Sequence, residues 1–339
     1  MTATTLTHET TQIAEKTMKA VAQHRYGSPA VLELTDVPKP EIGKDPILVR
    51  IRAASLNSLD WRGMRGEPIL FMRPMTGWRR PKQPVRGVDL AGVVEAVGPG
   101  VTEFKVGDQV FGTRSASFAE YVTGREMDFA HMPAGLTFEE AAAIPTAGVT
   151  ALQGMRDHAQ VKAGQHVLVY GAGGGVGSFA VQIAKAFGAT VTAVTRTEGV
   201  ELMQSLGADR VIDYTKEDVL READRYDVVF DVGATRSLAD LRRVLRPGGT
   251  LVISGGAKGR WIGPILRPLA GVLRGKLLRQ RIRVYIANDT KEDFLELKAL
   301  IEAGQVRPVV DRAYPLAQAA EAIAYLESGK VQGKVVLTI

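Results

Sequence analysis

The feature that most constrains this chain is a glycine turn set between a strand and a helix. His166-Val167-Leu168-Val169-Tyr170 is an apolar, strand-forming run. Gly171-Ala172-Gly173-Gly174-Gly175-Val176-Gly177 follows it, and residues 178–187 carry apolar side chains at helical spacing before Gly188. Within the turn, Ala172-x-Gly174-x-x-Gly177 has the spacing of the dinucleotide fingerprint, with Ala in place of its first glycine. Small residues let the backbone approach a diphosphate, and free N–H groups at the helix start add donors and the positive end of a dipole. A large side chain at Gly174 or Gly175 is expected to exclude such a ligand. Glycine turns also serve as plain connectors; the flanking strand and helix favour the binding reading.

In NAD-type sites an acid about 20 residues beyond such a turn grips the ribose hydroxyls. Here the second strand ends in Thr195-Arg196-Thr197, with no acid at its tip. A hydroxyl beside a guanidinium suits the 2′-phosphate of NADPH, for which arginine offers a charged fork. NADPH is therefore the expected cofactor, with Thr195 and Arg196 beside its phosphate; Glu198, close by, leaves NADH open. Tyr214, after Val211-Ile212-Asp213, either closes over the same phosphate or is a partly exposed aromatic at a strand end. Ser254-Gly255-Gly256 ends a further strand, either at the edge where such sheets bind ligands or as a simple turn.

Beyond residue 137 the texture of the chain alternates. Thr137-Phe138-Glu139-Glu140 has the form of a helix capping box. Strands and helices then follow at 167–170, 177–187, 190–195, 201–206, 211–212, 228–231, 237–244 and 250–254. This repetition, with short glycine-containing joints, predicts an α/β fold with a doubly wound parallel sheet. Earlier runs at 19–23, 32–35, 47–53, 92–97 and 109–111 are separated by Pro and Gly clusters, as in a β-rich, barrel-like region. Residues 291–339 read as a helix, a turn-rich stretch at 307–314, a helix at 316–327 and a closing strand at 335–339. Residues 1–16 are Thr-rich and hold no apolar core suited to a signal peptide or a membrane span, so a flexible tail and a cytoplasmic location are expected.

Cysteine is absent, which removes thiolate metal ligands, a cysteine nucleophile and any disulfide. None of His8, His24, His131, His158 and His166 pairs at ligand spacing. A catalytic zinc needs three protein ligands and a structural one usually four, so no metal site is expected.

The ordered motifs Met18-Lys19-Ala20-Val21, Asn57-x-x-Asp60-Trp61, Gly87-x-Asp89-x-Ala91-Gly92-Val93-Val94 and Phe118-Ala119-Glu120-Tyr121 are joined by Thr150-Ala151 and the glycine turn. Leu206-Gly207-Ala208-Asp209, Asp213-Tyr214 and Gly333-Lys334-Val335 complete the series. Together they resemble the quinone oxidoreductase branch of the medium-chain dehydrogenase/reductase superfamily, near the reticulon-4-interacting oxidoreductases and their bacterial relatives. The resemblance covers the chain beyond the tail of residues 1–17 and implies a GroES-like β-rich catalytic domain of residues 18–140 and 288–339 and a Rossmann nucleotide domain of residues 141–287, with NADPH in the cleft between the domains. It also implies cofactor contacts from Gly173, Gly175, Val176, Thr195, Tyr214, Ser254, Gly255 and the Gly333-Lys334 pair, beside Gly174 and Gly177 of the fingerprint. Similarity to zinc alcohol dehydrogenases extends to the fold and stops at the metal. Asn57 stands where those enzymes carry a ligand Cys, and Gly87-Val88-Asp89 stands where they have Gly-His-Glu.

Without a Lewis acid, a nicotinamide can still give hydride to an acceptor that is already electrophilic: a quinone, or the β-carbon of an α,β-unsaturated carbonyl compound. Asn57 is the first candidate for a donor to the developing oxyanion, with a structural turn as the alternative, and Asp60 is expected to orient it or cap a turn. An NADPH-binding redox sensor with little turnover, and zinc-independent alcohol or aldehyde chemistry, are the competing readings. The net charge of +6 gathers in residues 62–86 and 258–283, where cations mix with Trp78, Trp261 and aliphatic side chains. These stretches read as a solvated rim, a contact with a second copy of the chain in a homodimer, or a peripheral membrane surface. No nucleic-acid recognition motif accompanies them, and the expected partner is a small electrophilic molecule.

Overall fold

In the computed structural model, residues 16–221, 225–233, 236–254 and 280–339 are described. Gly255 and most of the second basic stretch, through residue 279, lie outside them. The alternating half of the sequence forms a six-stranded sheet in the order Arg210–Asp213, Thr190–Thr195, His166–Tyr170, Tyr226–Asp231, Leu245–Ile253 and Arg281–Val284. All five pairings are parallel. Side chains of a strand point alternately to opposite faces, and here both faces are covered. Val167 and Val169 enter one apolar core, while Leu168 and Tyr170 enter the other. Each fully buried aliphatic side chain of this kind contributes about 1.5–3 kcal/mol, which is why the strand before the glycine turn reads as an uninterrupted apolar run.

The direction of sheet growth reverses between His166–Tyr170 and Tyr226–Asp231. Ligands of open α/β sheets bind in the crevice at the carboxyl ends of the strands at such a reversal, and the glycine turn leaves the sheet there.

The second sheet has seven strands, with Val310–Pro315, Lys334–Thr338, Ile47–Ser55, Asp89–Val97, Gln109–Thr113 and Phe129–His131 in order and Tyr121–Gly124 also paired to Ile47–Ser55. Only its first pair is parallel. The turn-rich reading of 307–314 therefore gives way to an edge strand. Its exposed Arg312 and its terminal Pro315 are residues that edges tolerate and that disguise a strand in sequence. Two helices that overlap the first basic stretch, Ser58–Arg65 and Ile69–Thr76, also escape a periodicity reading because each is only eight residues long. Glu67-Pro68 between them is a cis peptide.

The cations of that stretch divide into two groups. Arg65 pairs with Glu327, Arg73 lies 4.9 Å from the Tyr26 ring centroid, and an Arg86 guanidinium nitrogen lies 3.4 Å from the Asp60 carbonyl. Arg79, Arg80 and Lys82 are exposed beside Trp78. No helix among the described residues is long and apolar enough to cross a membrane.

The two sheets meet at the glycine turn. The Gly333 N–H donates to the Gly173 carbonyl at 2.8 Å, and Gly174 and Gly333 form an isolated parallel bridge. Farther along the helix that follows the turn, the Gln182 side chain donates to the Arg307 carbonyl at 3.0 Å and accepts from its N–H at 2.8 Å.

Candidate active site

The glycine turn is built for close approach. Gly174 is the N-cap of the twelve-residue helix Gly175–Ala186, whose first turn carries no acid. A Cβ on Gly177 would lie 2.3 Å from the Gly171 carbonyl oxygen, so a side chain there would push the helix off the strand. The positions facing outward differ. A Cβ on Gly173 would meet Thr195 Oγ1 at 2.7 Å and one on Gly175 would meet Lys334 Cδ at 2.6 Å, whereas one on Gly174 would meet nothing closer than 4.0 Å. Thr195 and the Gly333-Lys334 pair thus border a cradle whose open point is Gly174. Val176 is half-buried against the core. The turn residues, Thr195, Gly333 and Lys334 are brought together, and the cradle at a helix N-terminus fits a diphosphate.

Arg196 and Tyr214 lie at the far end of this cradle. The Tyr214 N–H donates to the Thr195 carbonyl at 3.0 Å and its ring is about half exposed. The Arg196 guanidinium donates to the Gly329 carbonyl and borders a cavity of about 370 Å³ whose wall includes Glu198, Arg312, Tyr325 and Lys330. Asp213 pairs with Thr195 across the strands and is the nearest acid in the sheet. Its carboxylate already accepts from Thr197 Oγ1 at 2.6 Å, from the Thr215 N–H at 3.0 Å and from Thr215 Oγ1 at 2.7 Å, with Lys216 Nζ at 3.1 Å. Those hydrogen bonds, from Thr197 above all, hold it well below the usual carboxylate range. Ser254 follows the strand Leu245–Ile253, and its N–H donates to the Asp231 carbonyl at 3.3 Å.

Across from the turn, Asn57 is the N-cap residue of Ser58–Arg65. Its Nδ2 donates to Asp89 Oδ2 at 2.9 Å and its Oδ1 accepts from Lys334 Nζ at 2.5 Å; that ammonium is 3.3 Å from Asp89 Oδ2. Asp89 is fully buried and also accepts from Ser55 Oγ at 2.9 Å and from both the N–H and the hydroxyl of Thr146. Asp60 does not join this side-chain cluster. Its Oδ2 accepts from the Asn57 backbone N–H at 2.7 Å, which makes it the cap that holds Asn57 in place. Burial raises the Asp60 carboxyl to about 6, against the opposing pull of Arg86. Asp289 is raised to about 7, by burial first and then by the charge of Asp89, while a hydrogen bond from Thr113 opposes the rise. Thr150 is occupied in its own helix, its hydroxyl donating to the Thr146 carbonyl at 2.6 Å.

Asp89, Thr146 and Asp289 were not singled out as site residues from sequence. Asp89 carried the one usable signal, an acid inside a run that is otherwise apolar and strand-forming. The donor set at Asn57 does not suit zinc: it offers one amide, one carboxylate and an ammonium whose charge opposes a dication.

These features define a two-domain, nucleotide-dependent oxidoreductase scaffold. Residues 43–154 match the alcohol dehydrogenase GroES-like domain, and residues 206–337 match the zinc-binding dehydrogenase family. The 2-methylene-furan-3-one reductase of Solanum lycopersicum is 36% identical over 94% of this chain and 79% of its own. The chloroplastic NADPH-dependent alkenal/one oxidoreductase of Arabidopsis thaliana is 34% identical over 95% of this chain and 80% of its own. Among solved structures, the quinone oxidoreductase from Coxiella burnetii superimposes with a TM-score of 0.83 at 29% identity, over 96% of this chain and 100% of that one. The chain belongs to the zinc-free quinone oxidoreductase branch of the medium-chain dehydrogenase/reductase superfamily.

Proposed function

We infer that this chain is an NADPH-dependent reductase that passes hydride to quinones or to the β-carbon of α,β-unsaturated carbonyl compounds without a catalytic metal. The observation that carries this reading is the ammonium of Lys334 bonded to Asn57 beside the glycine turn. The cleft wall offers a fixed hydrogen-bond donor where a metal-dependent enzyme offers a Lewis acid. Saturated aldehydes and alcohols need strong polarisation, whereas quinones and enones are already electrophilic. The names of the relatives, which refer to enone, alkenal and quinone substrates, support the same class.

Bound NADPH supplies the hydride; the chain aligns the reactants. Backbone N–H groups of Gly173, Gly174, Gly175, Val176 and Gly177 would hold the diphosphate, with Gly333 and the stem of Lys334 closing one side of the cradle. Thr195, Arg196 and Tyr214 would hold the 2′-phosphate, and Ser254, which follows the strand Leu245–Ile253, would contact the cofactor; Gly255, expected beside it, lies outside the described residues. The saturation of Asp213 by its own hydrogen bonds favours NADPH over NADH, because that acid is not free to grip a ribose. Asn57 gives its remaining N–H to the substrate oxygen as negative charge develops, Asp60 positions Asn57, and solvent supplies the proton. The lack of cysteine fits a reducing, cytoplasmic compartment.

Chelator-treated protein assayed against a panel of quinones, enones and saturated aldehydes tests the reading. NADPH oxidation with quinones or enones, and none with saturated aldehydes, is expected. Binding of NADPH without oxidation by any acceptor would favour a sensor, and activity on saturated aldehydes alone would favour carbonyl–alcohol chemistry.

A further inference from the structure

Lys334 stands 277 residues from Asn57 in sequence, yet the two are bonded at 2.5 Å. Lys334 is 3% exposed and Asp89 0% exposed, while Asn57 is only half-buried. Any ligand that reaches the cluster from the cleft therefore meets Asn57 first. An amide between an ammonium and a carboxylate has one satisfying orientation, with oxygen to the cation and nitrogen to the anion. One N–H of the Asn57 amide is spent on Asp89, and the other has no acceptor among the described residues.

Charge at both ends of the amide polarises it. A cation at Oδ1 draws density from nitrogen, and a low-dielectric surrounding strengthens the effect. Burying an ammonium is costly unless it is paired and hydrogen-bonded. Asp89 supplies the pairing, and Ser55 and Thr146 satisfy much of the rest of that carboxylate. The Lys334 stem is held in turn against the glycine turn, since a Cβ on Gly175 would strike its Cδ. The cluster is thus tied to the cofactor cradle through the stem and to the candidate donor through the head group.

We propose that Lys334 is a positioning residue for reduction: its ammonium fixes and polarises the Asn57 amide, so that the free N–H stabilises the oxyanion of a carbonyl or quinone acceptor. This rests on the reductase reading above. In the step concerned, hydride forms a C–H bond at the β-carbon and the C=C pair moves to place negative charge on oxygen. NADPH becomes NADP⁺, and a solvent proton completes the two-electron reduction.

The test compares Lys334→Met, which keeps the stem and removes the charge, with the Lys334→Met/Asp89→Asn double variant, which also removes the carboxylate left unpaired. The substrates are chalcones with ring substituents of graded electron demand. For Lys334→Met the expected result is a fall in kcat on the order of 10- to 100-fold, NADPH Kd within about twofold of wild type, and a steeper dependence of rate on electron-withdrawing substituents. The double variant should regain Tm without regaining kcat. Wild-type kcat in the double variant would overturn the proposal, since Lys334 would then merely neutralise Asp89. A rise in NADPH Kd as large as the fall in kcat would overturn it too, by showing that the Lys334 ammonium, and not only its stem, serves cofactor binding. An unchanged substituent dependence would reduce the role of Lys334 to packing. A wild-type protein that reduces no chalcone, enone or quinone is a separate outcome and contradicts the reductase reading itself.

Discussion

The glycine turn presents backbone to its ligand, and the wall opposite presents side chains. At the turn, recognition depends on what is missing, with open space over Gly174 and N–H groups at the start of Gly175–Ala186. At Asn57 it depends on charge, with Asp89 and Lys334 buried on either side of one amide. The first surface consists of contiguous residues and is suited by its geometry to an anion. The second is gathered from positions 57, 89, 146 and 334 and is suited to charge that develops during reaction. Binding and chemistry are therefore separable here, and substitutions should divide between them.

The largest effect expected is that of Gly174→Leu. The new side chain enters open space, so Tm should stay within a few degrees of wild type, while NADPH Kd by calorimetry should rise about 1,000-fold, or about 4 kcal/mol. Unchanged affinity would mean that the cradle does not hold the diphosphate.

Asp60 yields a prediction about pH. Its folded pKa of about 6 lies above the ordinary 3.8, so the folded state binds more protons between these values and stability falls as pH rises from about 4 to about 6. The stability of wild type relative to Asp60→Asn should therefore fall by up to about 3 kcal/mol across that window, measured by urea unfolding. A constant difference would place Asp60 in solvent. The sign is opposite for Asp213, whose lowered pKa gives stability that is lost as pH falls below the ordinary carboxylate range.

Asn57→Ala sharpens the division from the other side. A fall in kcat of about 100-fold, or about 2.7 kcal/mol, with NADPH affinity unchanged, is expected from loss of an oxyanion donor. An equal loss in affinity would move Asn57 to the binding wall. The smallest effect belongs to Arg196→Ala, which should narrow the NADPH-over-NADH preference by about tenfold in kcat/KM, or about 1.4 kcal/mol. No change in that ratio would exclude Arg196 from the phosphate site.

The same division explains what the sequence made legible. The parallel sheet and its glycine turn are local patterns of apolar period and small residues, and they can be read without knowing any distant contact. Lys334 and Asn57 were visible only as motif positions, and nothing local shows that one grips the other. Asp89 could be seen as an acid in an apolar strand but not as the hub for Ser55, Asn57 and Thr146. Val310–Pro315 was hidden for a different reason: an edge strand carries the charges and proline that also mark turns. The capping role of Asp60 is legible because it spans only three residues, from the Asn57 N–H to the Asp60 carboxylate.

The most direct test of the central claim follows the hydride itself. Chelator-treated protein would be incubated with an enone and NADPH deuterated at the transferable nicotinamide position, and the product analysed by NMR. Deuterium on the β-carbon of a saturated ketone is predicted; deuterium on the carbonyl carbon of an alcohol, or no transfer despite bound NADPH, would contradict it.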